Sequence, residues 1–259
     1  MMFARLSRLS RLSRLPGGPA RHAFQASALV AVLALAACAS PSSRFYTLGG
    51  ASVGASGSTP AGASSVRTAA APAWLIEVAP IDVPPQVAKT QLVVQTGPTQ
   101  VKVLEEERWA SLPGDELRRA LSTSLTQQLN TIDVYGTAYS DTTPVYRVSV
   151  NVQRFESWPG SHALIDAVWS VRAVRSTAVM TCRSVVSEQV GSGYDSLVDG
   201  HRRALQRVSE QVAGALRAMA AASSASAGAA AGASASQAKG AARVNVPACP
   251  SDGAAVAAE

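Results

Sequence analysis

Acidic residues are missing from the first 76 positions of this 259-residue chain, and histidine and cysteine occur only three times each. Aromatic residues make up 5% of it. It contains no H-E-x-x-H, no C-x-x-C, no phosphate-cradling glycine loop, and no G-x-S-x-G elbow set between a strand and a helix. The signatures of zinc proteases, redox dithiols, nucleotide binders and common hydrolases are therefore missing. No apolar run reaches the roughly 20 residues that a bilayer-spanning helix requires.

What stands at the start is Leu29-Val30-Ala31-Val32-Leu33-Ala34-Leu35-Ala36-Ala37-Cys38, preceded by Arg5, Arg8, Arg11, Arg14 and Arg21. A positive segment, a short apolar segment and a small-residue cleavage site form a secretory signal. Leu35-Ala36-Ala37-Cys38 resembles a bacterial lipobox, in which the cysteine is acylated and becomes the first residue. Residues 1–37 are accordingly read as a lipoprotein signal peptide and Cys38 as the lipidation site; the competing reading is an ordinary secretory signal with an incidental cysteine. Removing residues 1–37 takes away five arginines and no acids, so the formal charge of +6 falls to +1. A nearly neutral chain has no basic field for phosphate contacts, so no nucleic-acid partner is expected. Contact with the membrane is expected through the lipid.

Cys182 and Cys249 remain, an even pair in an exported, oxidising setting. A bridge between them would close a loop of about 68 residues, worth roughly 4 kcal/mol on the chain-entropy model. The alternative is two unrelated thiols, one in a strand and one in a tail.

Ala, Ser and Gly dominate residues 49–73 and 220–242, which confines the foldable part to one domain over residues 74–219. Residues 38–73 are read as a lipidated N-terminus and flexible linker, and residues 220–259 as a low-complexity tail. Arg44-Phe45-Tyr46-Thr47-Leu48 favours an extended conformation. If it docks on the domain, the membrane tether shrinks to Ala39–Arg44, at most roughly 20 Å.

Strands are expected at Trp74–Ala79, Gln91–Gln95, Gln100–Leu104 and Ile132–Tyr135, with Gly97-Pro98 as a hairpin turn. Ser111 is placed to cap a helix carrying Pro113, Asp115 and Glu116 in its first turn, striped by Leu117, Leu121, Leu125 and Leu129, and closed by Asn130. Tyr146, Val148, Val150 and Val152 alternate with Arg147, Ser149, Asn151 and Gln153, as a strand with one dry and one wet face. Phe155–Gly160 reads as a turn, the next strand includes Ile165–Ala173, and a last strand covers about Ala178–Val190. Leu197, His201, Leu205, Val208, Val212, Ala215 and Met219 stripe a long helix, leaving Arg202, Arg203 and Arg207 toward solvent. The fold class is α+β: a largely antiparallel sheet with two main helices packed on one face of a single domain.

Catalytic candidates are few. His162 with Asp166 and a serine could be cast as a triad, but at a turn-to-strand junction without an oxyanion signal. His201 sits on the apolar helix stripe and reads as a packing residue. Glu105–Glu107 read as a solvated edge rather than an acid/base pair. Two histidines and two separated cysteines offer no metal-ligand spacing. No catalytic residue, metal or cofactor is expected, and the chain does not read as an enzyme. Arg147, Asn151 and Gln153 are the candidate contact face.

Cys38 followed by Arg44-Phe45-Tyr46-Thr47-Leu48, then Val78-Ala79-Pro80-Ile81-Asp82-Val83-Pro84, Glu107-Arg108-Trp109-Ala110, the helix Leu117–Leu129 and Tyr194-Asp195-Ser196-Leu197-Val198-Asp199-Gly200-His201, together resemble the PqiC/YmbA type, also called ABC-type transport auxiliary lipoproteins. Members often carry alanine where Gly200 stands, and the long linker after Leu48 and the tail with Cys249 are departures. The resemblance implies a non-catalytic outer-membrane lipoprotein of an intermembrane lipid transport system. Its implied partners are an MCE-domain protein spanning the periplasm, the associated inner-membrane permease and other copies of itself in a ring. Ala39 and Ser40 fit outer-membrane sorting, because the aspartate that signals inner-membrane retention is missing. A stand-alone lipid carrier and, more remotely, a periplasmic hydrolase are the alternatives.

Overall fold

The computed structural model describes residues 42–49, 71–232 and 246–250. The chain divides into Met1–Ser42 and Ser43–Glu259, and the elements belong to the second unit. The leader, Cys38 and most of the linker and tail lie outside the described residues.

Among the described residues, seven strands and two helices are arranged in order: β1 (Arg44–Tyr46), β2 (Leu75–Val78), β3 (Gln91–Gly97), β4 (Gln100–Trp109), α1 (Pro113–Leu129), β5 (Val145–Trp158), β6 (His162–Ala173), β7 (Val179–Gln189) and α2 (Tyr194–Gly232). They form an α+β fold with two sheets, one ordered β1-β4-β3 and the other β2-β5-β6-β7. Both sheets are mixed: β1 runs parallel to β4 and β2 parallel to β5, while the hairpin β3–β4 and the meander β5-β6-β7 are antiparallel. The expectation of a largely antiparallel sheet thus needs amending at its two added strands. Each parallel strand is short and arrives from a distant stretch of sequence, so no hairpin turn announces its direction.

Alternation explains most of the strands. Residues of β7 alternate between exposed and buried along its whole length. In β5, Tyr146, Val148, Val150 and Val152 are buried, and the register then slips between Val152 and Arg154. That bulge returns Phe155 to the buried side. The strand therefore runs to Trp158, and only Pro159-Gly160 turns, with Gly160 at a φ of 71°. Phe155–Gly160 is not a turn as a whole; the broken period mimics a strand end. Likewise β4 continues through Glu105–Trp109, across a register shift opposite Gln91/Leu92. Ile132–Tyr135 forms no strand, only an isolated bridge from Asp133 to Ile76.

Helix α1 buries Leu117, Leu121 and Leu125, and ends at Asn130 in the left-handed region. Its N-cap is Leu112, not Ser111, and no side chain caps it. Pro113 opens it, which suits a position whose N–H has no helical partner. Helix α2 packs on β6 and β7 and lies beside α1. The stripe Leu197–Met219 is buried as spaced, and the helix continues through the alanine-rich sequence to Gly232. Alanine has the best intrinsic helix propensity, so the helix outlasts its apolar stripe. Both sheets and both helices share one apolar core.

Cys182 of β7 and Cys249 are joined by a disulfide, with Cα atoms 5.8 Å apart. Pro250, beside it, lies close enough to α2 that a Cβ on Gly214 would meet its Cγ at 3.7 Å.

Candidate anchoring site

The short strand β1 connects the domain to everything before it. Its backbone pairs Arg44, Phe45 and Tyr46 with Glu107, Arg108 and Trp109, and the Ala110 N–H donates to the Tyr46 carbonyl at 2.7 Å. Three residues hold it. Glu107 accepts from the Tyr46 hydroxyl at 2.6 Å and from Arg44, whose Nε lies at 3.0 Å. Glu116, on the first turn of α1, accepts from Thr47 Oγ1 at 2.6 Å and from the Leu48 N–H at 2.9 Å. Arg202 on α2 donates to the Thr47 carbonyl through Nη2 at 2.6 Å and Nε at 3.2 Å.

Both carboxylates are buried. Burial alone would raise their pKa, yet hydrogen bonds from Arg44 and Tyr46 hold Glu107 below the usual carboxylate value. For Glu116, bonds from Ser111, Thr47 and the Leu48 backbone have the same outcome against the same burial. The complement occurs at Tyr46, whose hydroxyl is pushed up to about 12 by burial and by its bond to Glu107. A charged acceptor receiving several donors is the strong form of a hydrogen bond. The segment Arg44–Leu48 is therefore docked, with Leu48 buried.

Of these residues, only the extended character of Phe45–Leu48 is legible in the sequence. Glu107 is not a solvated edge: the bulge in β4 turns it inward toward β1. Glu116 reads in sequence as an ordinary first-turn acid, and Ser111, expected to cap the helix, donates to Glu116 Oε1 at 2.5 Å. Arg202, expected to face solvent, reaches the arm, while Arg203 and Arg207 both pair with Glu188. The sequence carries no signal for these pairings beyond charge, since partners lie up to 155 positions apart.

The other candidates fall elsewhere. Asp166 is held by Arg183 in two hydrogen bonds of 2.9 and 2.7 Å, and His162 Nδ1 faces Ser161. The triad of His162, Asp166 and a serine is not assembled. His201 is fully buried, stacked on Phe155 with ring centroids 4.1 Å apart, and its Nε2 meets Ser157 Oγ at 2.8 Å. Burial lowers its pKa to about 3. Arg147 pairs with Glu77 at 2.7 Å, and Asn151 and Gln153 bond each other, so that face is internally matched. Among the described residues, no group of three or more His, Cys, Asp and Glu could hold a metal ion, and no helix is long and apolar enough to cross a membrane.

Two clefts stand out among the described residues. One of ≈ 280 Å³ is lined by Tyr139, Pro144, Val145, Tyr146 and Val174 among others. The other, ≈ 680 Å³ between α1 and α2, is walled largely by polar side chains, including Ser124, Gln127, Gln128 and Arg202.

No curated protein matches the chain. A crystal structure of an uncharacterized protein is similar in fold, with a TM-score of 0.51 at 18% identity, covering 67% of this chain and 97% of its own. A second, from Xanthomonas campestris, has a TM-score of 0.40 at 19% identity, covering 56% of this chain and 85% of its own. The family described as ABC-type transport auxiliary lipoprotein component matches residues 58–213. That match spans more than half of the chain, including α1 and the head of α2, which both hold the arm. The chain belongs to the ABC-type transport auxiliary lipoprotein component family, the PqiC/YmbA type.

Proposed function

We propose that this protein is a non-catalytic outer-membrane lipoprotein, acylated at Cys38, that docks the periplasmic conduit of an MCE-type intermembrane lipid transport system. The observation that carries this reading is the docked arm. With Arg44–Leu48 fastened to Glu107, Glu116 and Arg202, only Ala39–Arg44 separate the domain from its lipid, at most roughly 20 Å of chain. A domain tied that closely to a membrane suits a fixed docking element better than a carrier that shuttles cargo. Three acyl chains would exceed the two signals needed for stable anchoring. Ala39 and Ser40 after the cysteine favour sorting outward.

The clefts support the same choice over a stand-alone lipid carrier. Small-molecule sites run to about 300–1,000 Å³ and are mostly apolar. One cleft here falls just below that range, and seven of the eleven residues lining the larger one are polar or charged. The expected partners are an MCE-domain protein, its permease and further copies of this chain.

Affinity capture of the full lipidated protein from envelope extracts should recover an MCE-domain protein. Capture of folded protein without one, in repeated trials, overturns the docking reading. Native mass spectrometry showing one phospholipid per monomer would favour the carrier instead.

A further inference from the structure

The direction of β1 has a consequence for how the domain sits on a membrane. Because β1 runs parallel to β4, its N-terminal end points back along β4 toward the β3–β4 hairpin tip. Ser43 confirms the heading, since its hydroxyl donates to Glu106 Oε2 at 3.1 Å, one residue before the Arg44–Glu107 pair. From Glu106 to Val101 is about 17 Å of strand, and the five residue steps from Ser43 back to Cys38 can span at most about 17 Å. A lipid anchor at Cys38 is therefore short enough to keep this end of the sheet near the membrane.

The tip is built for such a surface. Residues 98–103, Pro-Thr-Gln-Val-Lys-Val, are all exposed, and Val101 and Val103 are 46% and 37% accessible. They lie on the same face of β4, two residues apart, as strand geometry requires. No acidic residue occurs between Gln91 and Leu104, and the single charge there is Lys102. The nearest acid on that face, Glu105, is paired with Arg108 at 3.6 Å, so the exposed valines and Lys102 complement an anionic lipid surface: the valines enter the headgroup layer while the lysine reaches phosphate.

We infer that the β3–β4 hairpin tip, through Val101, Lys102 and Val103, rests on the phospholipid surface that holds the anchor and sets the domain's orientation there. This rests on acylation at Cys38.

The test uses the full chain, produced with its leader in a Gram-negative host and reconstituted in phosphatidylethanolamine/phosphatidylglycerol vesicles. With Cys38 acylated and Cys182 bridged to Cys249, an introduced cysteine is the free thiol for a polarity-sensitive fluorophore. Val101→Cys and Thr99→Cys are labelled, with Ser187→Cys on the exposed side of β7 as control; a turn position guards against a strand variant that fails to fold. Labels at 99 and 101 should shift to the blue and lose intensity to headgroup spin-labelled lipid severalfold more than the label at 187. Vesicles that carry the protein while all three labels respond alike overturn the inference. So does shielding from aqueous iodide without quenching by lipid, which would mean that protein covers the tip. Failure of the protein to float with vesicles overturns the acylation reading and this inference together, a result readily distinguished from the others.

Discussion

Two adjacent residues on α2 show how tightly the helix lies on its sheet. A Cβ on Gly200 would overlap Val190 Cγ1 and stand 2.9 Å from Ala163 Cβ. Gly200→Ala should cost about 1–3 kcal/mol through overpacking, read as a lower denaturation midpoint in urea. Next to it, His201 stays neutral when folded, because burial lowers its pKa to about 3. The unfolded chain takes up that proton near the ordinary value of 6.5, so falling pH favours unfolding: His201 makes its full contribution above 6.5 and loses about 1.4 kcal/mol per pH unit below it. The lowered carboxylates Glu107 and Glu116 act in the same direction, but only as pH falls below their ordinary value of 4.5. Between pH 6.5 and 4.5 the histidine dominates, and His201→Gln should flatten the stability profile there, as followed by thermal melts.

At the level of elements, β1 is held by side chains more than by area, since it contributes only three residues to its sheet. Glu116→Ala would leave the buried Leu48 N–H without its acceptor, a cost of about 1–3 kcal/mol, and should release the arm without unfolding the domain. Trypsin should then cut after Arg44 in the variant much faster than in the parent protein, and unchanged cleavage would show that Glu107 and Arg202 suffice. The tail is held differently. Reducing the Cys182–Cys249 bridge, or replacing Cys249 with serine, should lower stability by up to roughly 4 kcal/mol on the chain-entropy model, measured as a drop in Tm. The elements themselves were largely readable: the leucine stripe of α1, the alternation in β5, the last strand β7 and the Gly97-Pro98 hairpin all occur where expected. Two departures, in β4 and β5, share a physical source. Bulges in β4 and β5 shift the period by one residue, and a shifted period looks like the end of a strand.

For the whole molecule, position is part of the proposed docking role, because the arm is fastened to the domain. Inserting a long Gly/Ser segment after Ser40 should leave Tm unchanged, because it touches nothing in the domain. It should lower recovery of the conduit partner in envelope captures, since the effective concentration at the partner falls as a flexible linker lengthens beyond its span. Equal recovery would separate docking from tether length. The two sheets, two helices and arm meet in one core, so loosening the arm also exposes Tyr46 and Leu48 of that core.

Local sequence was enough for the near-neutral charge of the chain beyond residue 37 and for most of the helices and strands, because each depends on composition or on residues within a few positions. The mixed direction of the sheets, the inward turn of Glu107 and the meeting of Thr47 with Glu116 and Arg202 were decided only by the tertiary structure. These pairings join segments separated by 63 to 155 positions. Such distances leave no period to read, and the burial that strengthens these bonds exists only once the chain has folded.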